Sequence, residues 1–170
     1  MPAKADNIVV SALQSIAPFV LVFLLLLVTR VPFRASDMSM YVPLISLSFA
    51  FYFTIHRPRF TPILSLFLLG LVDDFLAGGV IGLTSLILVS VPALLLNQRR
   101  FFRNRSFVVA WAGFALVCLG ASAVIWLVEA FRIGVPISPF PAIVQMAMTL
   151  LAYPVLSWIF GTFERMVLRS

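Results

Sequence analysis

The chain has 170 residues, of which 62% are hydrophobic and 11% charged, where an ordinary soluble domain carries about 25% charged residues. A soluble exterior must be mostly polar, so this composition indicates an integral membrane protein. Six spans of about 20 residues would use roughly 120 and leave about 50 for all tails and loops, which excludes a separate soluble catalytic or ligand-binding domain. Twelve Lys+Arg against six Asp+Glu give a net charge of +6. Most of the basic residues close apolar runs, where they orient a membrane chain and face anionic headgroups rather than nucleic acid.

The first apolar run, Ile8 to Thr29, is long for the core of a signal peptide. Lys4 and Asp6 both precede it, and no small-x-small site lies before Arg30. It reads as a retained span over 8–29 with a bend at Pro18. A short loop from Arg30 through Asp37 leads to a second span over 39–55, which His56-Arg57-Pro58-Arg59 ends. His56 reads as a solvated turn residue. The stretch 60–96 has 37 residues and no basic charge. As one helix it would be about 55 Å long, against a hydrocarbon core of about 30 Å. Asp73-Asp74 and Ala77-Gly78-Gly79 divide it into spans over 61–76 and 80–96 joined by a tight glycine-rich turn; a re-entrant segment is the alternative. Arg99, Arg100, Arg103 and Arg105 fill the next loop, as an orientation and headgroup anchor or a docking point for a cytoplasmic partner.

Span five covers 107–128, and Glu129 can pair with Arg132 at i+3. Trp111 and Trp126, about 22 Å apart on a helix, fall near opposite interfaces. Between them Ala110, Gly113, Val117 and Gly120 form a small-residue face that permits close helix packing. A proline-rich loop over 132–141 precedes span six, 142–160, which contains Pro154. In the tail, Arg165 and Arg169 share a face and extend the last helix along the interface. With six spans, nine of the twelve basic residues fall on one side, which places both termini in the cytoplasm. Five spans divide them four against eight. Cys118 is the single cysteine, so no intrachain disulfide forms and neither a metal cluster nor a cofactor site is indicated.

Asp73 and Asp74 are the acids embedded in an apolar run without a basic neighbour in sequence. A charge at the bilayer centre costs about 2.5–3.5 kcal/mol on insertion scales. Gly70, Asp74, Gly78 and Gly82 recur at four-residue spacing. Gly70 and Asp74 share a helix face, and Gly78 and Gly82 straddle the turn, where positive φ comes easily to glycine. Two readings stand: a protonation or ion site, or a buried carboxyl that accepts backbone amides of the adjacent turn and fixes the hairpin. The second is favoured, because the spans offer no further acid, His or Lys to relay a proton.

The run Phe67-Leu-Leu-Gly70-Leu-Val-Asp-Asp74-Phe-Leu-Ala-Gly78-Gly-Val-Ile-Gly82 resembles the G-x-x-x-D-x-x-x-G-x-x-x-G signature of the rod shape-determining protein MreD family, with Asp73 as an extra acid outside the pattern. Tyr153-Pro154 matches that family's proline in its last span, and the chain length and short basic tail match too. The resemblance implies an all-α bundle of six transmembrane helices similar to the membrane substrate-binding subunits of energy-coupling-factor transporters. It implies a location in the bacterial inner membrane and a non-enzymatic scaffold role in cell elongation. It implies direct association with MreC and, through it, with MreB filaments, RodA and a penicillin-binding transpeptidase that build side-wall peptidoglycan. No nucleophile–base pair, metal cluster or phosphate loop points to an enzyme. The competing reading is a small-ligand-binding subunit of a vitamin-type transporter, whose cavity mouth would use Thr84, Ser85, Ser138 and Gln145.

Overall fold

A computed structural model describes residues 3–30, 42–56, 62–95, 106–134 and 138–167, with side chains from residue 17 in the first segment and up to 166 in the last. Arg34, Arg57, Arg59, Arg99, Arg100, Arg103, Arg105 and Arg169 lie outside the described residues, so the anchor and tail readings made for them are not addressed by the fold. All regular elements among the described residues are helices: α1 (Ala3–Arg30), α2 (Ile45–His56), α3 (Ile63–Ala77), α4 (Leu83–Leu95), α5 (Phe107–Ile133) and α6 (Phe140–Val167).

Helix limits follow local backbone chemistry. Residues 42–44 are not helical, so α2 starts at Ile45 rather than near 39. Pro43 disfavours helical geometry at Val42, and the first turn of α2 forms when the Leu44 carbonyl accepts the Ser48 N–H at 3.2 Å. At the other end of the chain, α5 continues to Ile133, past the expected limit at 128. It stops at Gly134, which adopts a left-handed φ of 72° and donates its N–H to the Ala130 carbonyl. Arg132, placed in a loop by the sequence reading, therefore lies on the last turn of α5, where it pairs with Glu129 at 2.9 Å. Arg30 needs a larger correction: it is the last residue of α1 and is buried, not a loop residue.

The bundle is organised around α2. All residues from Ile45 to Ile55 are buried, as expected of a helix that is apolar on every side. It touches each of the other five helices, most extensively α4 and α6. Phe49 packs on Phe19, Phe53 and Phe160, and Phe51 packs on Phe114 and Tyr153. With 12 residues, α2 is only about 18 Å long. By contrast α5 and α6 are each long and apolar enough to cross a membrane. Their outward faces are as apolar as the interior, with Leu116, Leu119, Leu127, Leu151, Val155 and Trp158 exposed. Such an inside-and-outside apolar bundle suits lipid rather than water as its surroundings.

Candidate functional site

The α3–α4 hairpin gives each of the four regularly spaced residues a distinct task. Gly70 is the crossing point. A methyl group there would overlap the backbone of Ser85 on α4, so the absence of a side chain is what lets the two helices meet backbone to backbone. Ser85 then donates its hydroxyl to the Phe67 carbonyl at 2.9 Å, tying the crossing together. Gly78 ends α3 in the left-handed region, at φ 71°, and its N–H returns to the Asp74 carbonyl at 2.9 Å. Gly82 also has positive φ, at 95°, which directs its N–H toward α3.

Asp74 closes the turn. Its Oδ2 accepts the Gly82 N–H at 2.7 Å, and the Thr84 N–H approaches Oδ1 at 3.1 Å and Oδ2 at 3.2 Å. The first N–H groups of a helix lack intrahelical partners, and a carboxylate at that end also meets the positive end of the helix dipole. Asp74 thus caps α4 from the neighbouring helix, using its main-chain carbonyl for Gly78 and its side chain for the far side of the turn.

Asp73, on the adjacent face of α3, points into the bundle and is 1% exposed. Its Oδ1 lies 3.0 Å from Nη2 of Arg30, and its Oδ2 accepts the Ser46 hydroxyl of α2. Three helices are thereby joined by one carboxylate. The acid does have a basic neighbour, contributed from 43 residues earlier in the chain. Removing both charges from water is costly, and a contact of this closeness is what offsets that cost. Arg30 Nε and Asp73 Oδ1 are both buried without a hydrogen-bond partner, so the two side chains are joined by the attraction of their charges at 3.0 Å rather than by an aligned hydrogen bond.

Two further clamps hold the polar ends of the bundle. Thr149 of α6 accepts the Leu44 N–H at 3.0 Å and donates to the Gln145 carbonyl, while Gln145 Nε2 donates to the Val42 carbonyl at 3.0 Å. These bonds satisfy the non-helical backbone leading into α2. At the opposite end, Tyr52 donates its hydroxyl to Glu164 at 3.3 Å, stacks on His56 with ring centroids 4.2 Å apart, and lies against Gly161 of α6.

Pro154 acts through the backbone. It has no N–H, so the Leu150 carbonyl one turn earlier loses its helical donor. Trp111 of α5 supplies the replacement, its indole N–H lying 3.1 Å from that oxygen. A cross-link between α5 and α6, the helices long and apolar enough to cross a membrane, results.

Of the residues singled out from sequence, Gly70, Asp74, Gly78 and Gly82 lie together at the hairpin, Asp73 faces the other way into the bundle, and Pro154 is on α6. Sequence reasoning missed the roles of Arg30, Ser46 and Thr149, and read Trp111 as an interface aromatic rather than as the donor to the Leu150 carbonyl. An arginine closing one apolar run and an unpaired acid within another were a signal for the first of these, since each charge needs a partner in lipid. No group of three metal-ligating side chains occurs among the described residues.

No curated protein and no solved structure matches the chain. The family model described as rod shape-determining protein MreD matches residues 10–166, nearly the whole chain, and the chain therefore belongs to the MreD family.

Proposed function

We propose that this protein is a non-enzymatic scaffold of the cell-elongation machinery in the bacterial inner membrane, with a partner-binding surface on the outside of the bundle. Membership of the MreD family gives it a role in rod-shape determination. One observation carries the scaffold reading further: both acids of α3 are committed to contacts that join helices. Asp73 is taken by Arg30 and Ser46, and Asp74 by two turn amides. Ser85 and Gln145, which a transporter subunit would present at a cavity mouth, are bonded to backbone carbonyls. Intramembrane acids that relay protons or bind ligands line a cavity or pathway. Acids spent on packing instead support a rigid body whose exterior does the work.

In this reading the chain crosses the membrane six times with both termini in the cytoplasm. The short α2 fits because protein sheathes it on all sides. The asymmetry of basic residues supports the orientation, and it sharpens once Arg30 is withdrawn from the outer loops into its ion pair. MreC is the proposed direct partner, linking the bundle to MreB filaments, RodA and a penicillin-binding transpeptidase that organise side-wall peptidoglycan synthesis.

Depleting the protein from rod-shaped cells should produce round cells, and photo-crosslinkers at the exposed positions Leu86, Leu116 and Leu151 should capture MreC from at least one helix face. Unchanged rods with impaired vitamin uptake would overturn the scaffold reading in favour of transport.

A further inference from the structure

Exposed irregular backbone fixes where a membrane helix must end, because its amides and carbonyls need water or headgroups. Both ends of α3 are of this kind. Pro62 precedes it in extended geometry, at φ −62° and ψ 141°, and Gly78 follows it in the left-handed region; both are exposed. The first N–H groups of the helix also have no intrahelical partner. Each end must therefore reach the polar layer, and only the 15 residues between them, about 22 Å of helix, can face hydrocarbon. Beside it α4 has 13 residues, about 20 Å. The outward faces of this pair present Ile63, Leu64, Leu68, Phe75, Leu86 and Leu94.

The other pair of helices is nearly twice as tall. Ser106 and Gly134 bound 27 residues of α5, about 40 Å, and α6 has 28 residues. A hydrocarbon core is about 30 Å thick. A common tilt cannot fit both pairs, because the tilt that shortens α5 and α6 along the membrane normal shortens α3 and α4 as well. A helix shorter than the core is accommodated when the bilayer thins around it. The charges agree with a thin film on this side. Asp73 stands four residues before the end of α3, about 6 Å below the turn, and its ion pair with Arg30 costs less the nearer it lies to the surface.

We propose that this protein thins the bilayer by about 8 Å along its α3–α4 face, while α5 and α6 meet a core of full thickness. The partner of the face is the phospholipid film itself, drawn down to the level of the Gly78–Gly82 turn on one surface and of Pro62 on the other. The inference rests on the six-span reading.

The test places the full-length protein in phosphatidylcholine nanodiscs with a core of about 30 Å and measures the depth of single nitroxide labels from their collisions with oxygen and with a water-soluble nickel chelate. Cys118 is fully buried and takes no label. Leu64→Cys and Phe75→Cys, both at exposed positions, sit on nearly one face of α3 and about 16 Å apart. Their two depths, each taken from its own surface, should add to about 6 Å in a thinned film and to about 14 Å in an undeformed one. Leu86→Cys and Leu94→Cys on α4, about 12 Å apart, should show the same shift of several ångströms and serve if an α3 variant fails to fold. Val108→Cys and Ile133→Cys, exposed near the two ends of α5, should both read at headgroup level. A combined depth of about 14 Å or more on α3 would overturn the thinning while leaving six spans intact. Poor access of both reagents to the α3 labels would also overturn it, since protein rather than lipid would then cover the face. Free access of the nickel chelate to both α3 labels would overturn the six-span reading, and this inference with it.

Discussion

Replacing Arg30 with leucine should leave Asp73 as a lone buried carboxylate touching only the Ser46 hydroxyl. Both members of the pair are nearly inaccessible, at 6% and 1% exposed, so water cannot restore the missing partner. Breaking such a pair from one side costs about 3–5 kcal/mol, because an uncompensated charge remains. Asp73→Leu should cost a similar amount through the stranded guanidinium. The double variant removes both charges together, and its cost should fall to about 1 kcal/mol or less, since apolar replacements of buried pairs are often neutral. The assay is built into the molecule: Cys118 is the chain's single cysteine and is fully buried, so maleimide labelling during heating reports opening of the bundle. A large coupling between the two positions is expected. If the two single losses simply add in the double variant, the residues are not partners and the three-helix junction is wrong.

Other variants probe the hairpin and the α5–α6 seam. Gly70→Ala should destabilise the same labelling readout by about 1–3 kcal/mol, because overpacking at a close backbone crossing forces the helices apart; Gly120→Ala, where an added methyl meets nothing, should be neutral or slightly stabilising. Trp111→Phe should cost about 0.5–1.5 kcal/mol by leaving the Leu150 carbonyl unpaired. In a Pro154→Ala background, where the helix regains its own N–H donor, the same substitution should cost measurably less.

The sequence carried unequal amounts of this architecture. Apolar runs, punctuating charges and the glycine-rich turn were enough to find the six helices among the described residues, because each run is bounded by local chemistry. Their limits were less legible. Arg30 looked like a loop residue since charge usually marks the end of a span, and only the three-dimensional position of Asp73 explains why it stays inside. The central place of α2 was hidden for a related reason: a helix that is apolar all round looks the same whether lipid or protein surrounds it. The spacing of Gly70, Asp74, Gly78 and Gly82 was plain in the chain, and the turn they form is local, so its chemistry could be reasoned from neighbours. The clamp from Thr149 to Leu44 spans 105 residues and left no local trace. The link between Trp111 and Leu150 was half visible, since Pro154 announces a carbonyl without a donor but does not say what replaces it.

The central claim is that Asp74 builds the hairpin rather than performing chemistry. Its most direct test compares Asp74→Asn with Asp74→Leu, measuring folded protein by Cys118 protection and rod shape in the same cells. Leucine strands the Gly82 and Thr84 amides, at about 1–3 kcal/mol for each unsatisfied group, while asparagine keeps one acceptor oxygen for them. The account predicts that asparagine retains most folded protein and most rod cells, that leucine loses both, and that shape follows folding across the series. An Asp74→Asn protein that is fully folded yet leaves the cells round would contradict it.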